Sequence, residues 1–185
     1  MRRNKLIPAL LAVLFAGCES TDEGFEVVLS TDTIDLAAPT ANSALPSALD
    51  LDLGIGRFPE RFADAQQWDV VVRFVGGQLT LVPASSIGAT DDGGRSRAQI
   101  TDALAGRTFE SVRQAPNTSA FDTASVVVQQ GAVYVIRSRL IPCGIGAVQK
   151  YAKTRPLEVA LAEQRVKLEV VISERCGDQR LAEEN

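Results

Sequence analysis

From Trp68 onward the chain alternates apolar and polar positions with a period close to two. Trp68 to Val75 (WDVVVRFV) and Gln78 to Val82 (QLTLV) are β-branched and aromatic runs joined by Gly76-Gly77, a two-residue connection that favours a hairpin. Thr123 to Gln129 and Ala132 to Leu140 repeat the arrangement around Gln130-Gly131, and Tyr151 to Leu161 and Arg165 to Ser173 form a third candidate hairpin across Ala162-Glu163-Gln164. Arg165-Val166-Lys167-Leu168-Glu169-Val170 alternates strictly, as a sheet with one wet face requires. A helix competes there, because LEVALAEQRVKLE is rich in helix formers, but Pro156 and the alternation favour strands. Arg97 to Ala105 (RAQITDALA) is the stretch expected to form a short helix. No strand-helix-strand repeat is visible, so the expected class is mainly β, with antiparallel sheets in a sandwich-like arrangement.

Upstream the pattern is different. Residues 37 to 49, AAPTANSALPSAL, hold no sustained period and read as linker. Before them, Leu6 to Phe15 is an apolar run broken only by Pro8, preceded by Arg2, Arg3 and Lys5 and followed by Ala16-Gly17-Cys18. A positive start, an apolar middle and small residues before a cleavage point are the layout of a secretory signal. The run is too short to span a bilayer, which takes roughly 20 apolar residues, because the chain turns at once to Glu19-Ser20-Thr21-Asp22-Glu23. Leu14-Phe15-Ala16-Gly17-Cys18 resembles the bacterial lipobox, with Phe15 standing where Leu is usual. That resemblance implies cleavage before Cys18 and acylation of its sulfur, a lipid anchor able to hold a protein at a membrane. Glu19, rather than Asp, after the Cys makes the outer membrane the expected destination. The expected domains are 1–17, a cleaved lipoprotein signal peptide; 18–60, an acidic tether and linker with short strands; and 61–185, an antiparallel β domain.

Charge supports that division. Cys18 to Glu60 holds nine acids and one base, Arg57, whereas Arg61 to Asn185 is nearly balanced with 14 acids and 15 bases. Neither part forms a basic patch, so nucleic acid and anionic lipid are discounted as partners.

The three cysteines divide once Cys18 is assigned to lipid. Cys143 and Cys176 are then an even pair, expected to form a disulfide in an oxidising compartment. Zinc is disfavoured because neither belongs to a C-x-x-C and the chain has no His. The absence of His also removes Ser-His-Asp and Cys-His nucleophile systems. A Ser-Lys arrangement survives in principle with Lys150, Lys153 or Lys167, but no S-x-x-K occurs and these lysines are expected on a solvated strand face. Asp50-Leu51-Asp52-Leu53-Gly54 mimics half a calcium loop but has Arg61 where the bidentate Glu belongs. Asp91-Asp92-Gly93-Gly94 reads as a turn with some calcium character. Gly54-Ile55-Gly56 and Gly144-Ile145-Gly146 lack the third glycine of a dinucleotide fingerprint and read as tight turns. No cofactor or metal is expected. Trp68 is most simply a core anchor, and Tyr134 and Tyr151 pack across strands with wet hydroxyls; the three are also the candidate ligand-binding residues.

Gln67-Trp68-Asp69-Val70-Val71, Ala132-Val133-Tyr134-Val135-Ile136-Arg137-Ser138 and Lys150-Tyr151-Ala152-Lys153 resemble, in order and spacing, strand phrases of the HmuY-like haem-binding lipoproteins over about residues 65 to 175. The resemblance implies an antiparallel β fold, a lipobox anchor, and haem held between axial His or Met residues. This chain has no His, and its one Met is Met1, so it departs from the family at the haem ligands. The expected function is a non-enzymatic envelope lipoprotein, anchored through Cys18, whose β domain binds an envelope protein or a small hydrophobic ligand. The alternatives are a His-free hydrolase, which perturbed carboxylates in a deep pocket would favour, and a structural accessory of an outer-membrane assembly, which an exposed apolar sheet face or edge would favour.

Overall fold

The computed structural model describes residues 26–42, 44–61, 64–88 and 97–183. The signal, Cys18 and the Asp91-Asp92-Gly93-Gly94 stretch lie outside them. Among the described residues, thirteen strands follow in chain order: β1 Leu29–Ala37, β2 Ala48–Asp50, β3 Ile55–Arg57, β4 Val70–Val75, β5 Gln78–Pro83, β6 Gln99–Thr101, β7 Phe121–Asp122, β8 Val126–Val127, β9 Tyr134–Arg137, β10 Ile141–Cys143, β11 Gly146–Val148, β12 Tyr151–Ala160 and β13 Arg165–Ser173. They form a six-stranded sheet ordered β1-β13-β12-β9-β6-β7, a five-stranded sheet ordered β3-β2-β4-β5-β8, and the small β10-β11 hairpin. Every pairing is antiparallel. The mainly β class is as expected.

Period-two patterning assigns each strand residue to a face. Val166, Leu168, Val170 and Ile172 of β13, Tyr134 and Ile136 of β9, and Ile34 and Leu36 of β1 meet Val70, Val72, Leu79 and Leu81 of the other sheet in one core. The opposite parity forms two outer clusters. On the six-stranded sheet, Val135, Tyr151 and Val171 are covered by Phe109, Val112, Ala115, Phe121 and Leu181. On the five-stranded sheet, Val71, Val82 and Ala48 pack with Trp68, Ala84 and Ala98.

The hairpin at Gly76-Gly77 is present, both glycines having positive φ (59° and 82°), as a two-residue turn of the right twist demands. The β12–β13 hairpin is present too, with a register shift at Pro156/Glu158 where proline withholds a ladder N–H. The Gln130-Gly131 turn, by contrast, does not close a hairpin. The Ala132 N–H does reach the Gln129 carbonyl at 3.1 Å, but β8 pairs with β5 and β9 pairs with β12 and β6. The turn carries the chain from one sheet to the other. Arg97 to Ala105 is not a helix: Gln99–Thr101 is β6, with Ile100 in the central core, Ala98 in an outer cluster, and the Thr101 hydroxyl accepting from the Val135 N–H at 3.0 Å. Burial on alternating faces overrides the helical propensity of that stretch.

The stretch read as linker also belongs to the fold. β1 pairs with β13 along all nine residues, and Ala37, Ala38, Ala48 and Leu49 are buried. Gly54 ends a tight turn, its N–H donating to the Asp50 carbonyl at 2.9 Å, but Gly56 is a strand residue. A Cβ there would lie 2.3 Å from the Pro46 ring, so glycine is needed for close approach.

Candidate functional site

At the end of the sandwich where β2 finishes and β4 starts, five charged side chains form a chain of ion pairs. Asp69 is wholly buried. Its Oδ1 accepts from the Arg139 backbone N–H at 2.6 Å, and its Oδ2 from the Leu51 N–H at 2.7 Å and Arg139 Nη1 at 3.0 Å. Asp50 Oδ1 accepts from Arg139 Nη1 at 3.0 Å and the Asp52 N–H at 2.9 Å, while its Oδ2 takes Arg57 Nη2 at 2.8 Å and Nε at 3.0 Å. Arg57 Nη1 continues to Asp64 at 3.2 Å. Arg139 follows β9 in one sheet and its acids belong to the other, so the network ties the two sheets together.

Burial pushes the Asp69 carboxyl up to about 6, against the pull of Arg139 and the two backbone N–H donors. Burial also works against the Arg139 charge, but Asp69 and Asp50 outweigh it and hold the guanidinium above its ordinary range. The difference between the partners is geometric: two carboxylates share one arginine, and among the described residues Asp50 has a second cation in Arg57 while Asp69 has none.

Beside the network lies a pocket of about 260 Å³ bordered by Asp50, Asp52, Arg57, Gln67, Arg139 and Pro142 among others. Asp69 does not line it. Asp50 does, but each of its oxygens accepts two hydrogen bonds, so the acid at the pocket wall has no lone pair left for a bound molecule. Among the described residues no group of three or more His, Cys, Asp or Glu is placed to hold a metal ion.

Two lysines expected on a solvated face are buried. Lys150 Nζ donates to the Asp52 carbonyl and to Glu174 Oε2, each at 2.9 Å. Lys153 Nζ donates to the carbonyls of Phe109 at 3.0 Å and Val112 at 3.1 Å and lies 4.7 Å from the centre of the Phe109 ring. Its pKa is lowered, chiefly by burial. Lys167 is part exposed, 3.8 Å from Asp35.

The candidate ligand-binding aromatics do not converge. Trp68 lies in the outer cluster of the five-stranded sheet, its indole N–H donating to the Ala65 carbonyl at 3.1 Å. Tyr134 is in the central core, and its hydroxyl is not wet: it donates to the Val127 carbonyl at 2.8 Å and accepts from the Gln129 N–H at 3.0 Å, bridging the sheets. Tyr151 packs edge-on to Phe121 at 6.0 Å in the other outer cluster. Tyr134 and Tyr151 therefore cannot flank one iron without repacking two clusters. Titrating haem into the purified protein should give no saturable Soret shift; a shift at low micromolar haem that is lost in Tyr134→Phe or Tyr151→Phe would reverse this expectation.

Cys143 and Cys176 are joined, with Sγ atoms 1.92 Å and Cα atoms 6.2 Å apart. The bond links the β10-β11 hairpin to the segment after β13. Comparison with protein-family models, curated proteins and solved structures finds no match to this chain.

Proposed function

We propose that this chain is a cell-envelope lipoprotein of the outer membrane, anchored through acylated Cys18, whose β domain binds a partner protein or small ligand without catalysing a reaction. The observation that carries the reading is how the cysteines divide. Cys143 and Cys176 lie at bonding distance, a pairing suited to an oxidising compartment. That leaves Cys18 as the third cysteine of the sequence, directly behind Arg2-Arg3, an apolar run and Ala16-Gly17, where acylation accounts for it.

The placement of the acids supports the non-enzymatic half of the reading. A general base must reach its substrate with a free lone pair, whereas Asp50 spends all of its own on Arg57, Arg139 and the Asp52 N–H, and Asp69 is buried outside the pocket lining.

Cells producing the chain with labelled fatty acid should yield a labelled protein that partitions into detergent. Cys18→Ala should abolish the label and either release the protein from membranes or stall its processing. Failure of the wild type to take up label would reject the anchor.

A further inference from the structure

The β10-β11 hairpin continues the β9–β12 ladder beyond the end of the six-stranded sheet. Arg137 pairs with Tyr151, the Ser138 N–H donates to the Lys150 carbonyl at 2.9 Å, and Ile141 pairs with Val148. Gly144, with φ of 59°, starts the turn, and Ile145 at its tip is wholly exposed, at 112% of its reference area. No residue from Ile141 to Gln149 is charged. Such an isoleucine contributes nothing to the core, while Cys143, paired with Gly146 across the turn, ties the tip of the hairpin through its disulfide to the segment that follows β13.

Two more exposed apolar side chains lie at the same pole. The carbonyl of Val28, itself 45% exposed, accepts from the Glu174 N–H at 2.9 Å, two residues before Cys176. Leu53, 61% exposed, follows Asp52, whose carbonyl is held by the same Lys150 ammonium that binds Glu174. Lys150 is also 3.7 Å from the Asp52 carboxylate, so a single ammonium bridges the two acids between the apolar groups. Val28, Leu53 and Ile145 thus stand on segments linked through Glu174, Lys150 and Cys176, beside the start of β1, where the chain coming from Cys18 joins the sheet. Cys18 stands ten positions before Val28, a reach of at most about 36 Å.

Resting on the reading that Cys18 is acylated, we infer that this pole is a lipid-facing surface and that the Ile145 tip enters the bilayer interface as a second, non-covalent contact beside the anchor. One isoleucine would bind a membrane weakly from solution. Behind a short tether the encounter is intramolecular, and the high effective concentration makes a weak apolar contact sufficient to set the orientation of the domain. The tether is also what favours lipid over a protein as the occupant of the tip.

The test uses the mature chain, from Cys18 onward, oxidised so that Cys143 and Cys176 are bonded, and coupled through its remaining thiol, Cys18, to a maleimide-bearing lipid in phosphatidylethanolamine–phosphatidylcholine vesicles. Coupling places the chain on lipid whether or not a cell acylates it, so loss of the anchor reading, seen as absent fatty-acid label, stays separate from loss of this inference. In the coupled Ile145→Trp variant, tryptophan emission should shift to shorter wavelength and lose intensity on brominated lipids. Val75→Trp, at the far end of β4, and the parent with Trp68 alone should show neither change. Emission from the Ile145→Trp variant that matches the Val75→Trp control would overturn the inference. A photocrosslinker at position 145 that joins a protein rather than lipid in cells would overturn it too, and would assign the tip to a protein partner.

Discussion

Asp69→Ala is expected to lower the stability of the domain by about 3 kcal/mol, the cost of removing one member of a buried ion pair. The substitution leaves the Leu51 and Arg139 backbone N–H groups without their acceptor and takes one of two carboxylates from the Arg139 guanidinium. Each orphaned buried donor costs about 1 to 3 kcal/mol. Arg139 keeps Asp50 at 3.0 Å, which holds the loss near the lower end of the range for broken buried pairs. Asp69→Asn restores one acceptor but turns an N–H towards the donors, so it should recover only part of the loss. Urea unfolding reads both variants as a shift of midpoint at constant slope. A loss below about 1 kcal/mol for the alanine variant would mean that the network relaxes onto water and does not tie the sheets.

The same carboxyl gives stability an unusual dependence on pH. Its folded-state pKa of about 6 lies above the ordinary value of 3.8, so the folded protein binds a proton near pH 6 that the unfolded chain binds only near 4. This contribution is fully present below the unfolded value and is lost as pH rises through 6. From pH 7 down to 5, Asp69 should therefore add about 1 kcal/mol of stability. Its charged neighbours are Arg139, which does not titrate there, and Asp50, which contacts the same guanidinium. Glu174, whose pKa the Ser30 hydroxyl and Lys150 lower against the effect of burial, and Asp178, whose pKa Arg180 lowers, contribute in the opposite direction, but only as pH falls through the lower carboxylate range. Unfolding midpoints measured at pH 7, 6 and 5 should rise in the wild type and stay flat in Asp69→Asn. A wild type that only loses stability over this interval would contradict the raised carboxyl.

Period two explains both what the sequence makes legible and where legibility stops. Val166 through Ile172 reveal β13, and Gly76-Gly77 reveals its hairpin, because alternation and turn chemistry are local signals. Parity also places Lys153 correctly beside Tyr151 on the outer face. That face is dry because the irregular segment containing Phe109 and Val112 folds over it, a tertiary event with no period of its own. Arg139 escapes for the converse reason. Counting from Tyr134 and Ile136 places it outward with Arg137, but β9 ends at Arg137 and the chain then turns the guanidinium towards Asp50 and Asp69 in the opposite sheet. The acids themselves stand at strand ends, Asp50 closing β2 and Asp69 just before β4, positions where polar residues normally signal a turn. An ion-pair network between sheets is a long-range fact, with residues 70 and 89 positions apart in the chain, and alternation carries no record of it.

Removing the disulfide, as Cys143→Ser with Cys176→Ser, should cost about 4 kcal/mol on the chain-entropy account. The two residues are 33 apart in sequence, and opening that loop returns its closure entropy to the unfolded chain. Geometry makes the bond informative beyond its energy. β9 and β13 are separated by β12, and two strand spacings come to about 10 Å, yet the Cα atoms of Cys143 and Cys176 are 6.2 Å apart. The hairpin after β9 and the segment after β13 must therefore bend towards each other over the end of β12. Ile141-Pro142 gives that bend a stiff entry, and Gly144, at φ of 59°, supplies the reversal beyond it. At roughly 2 to 4 °C per kcal/mol for a chain of this size, the double variant should melt about 8 to 16 °C below the wild type. The hairpin should lose protection first, since few contacts besides the bond hold it to the sheets. Peptide mapping without reductant should recover one bridged peptide joining residues 143 and 176, with Cys18 absent from it. Two alkylatable thiols at 143 and 176 in the folded protein would reject the bond, and with it the inward bend that brings the ends of β9 and β13 together.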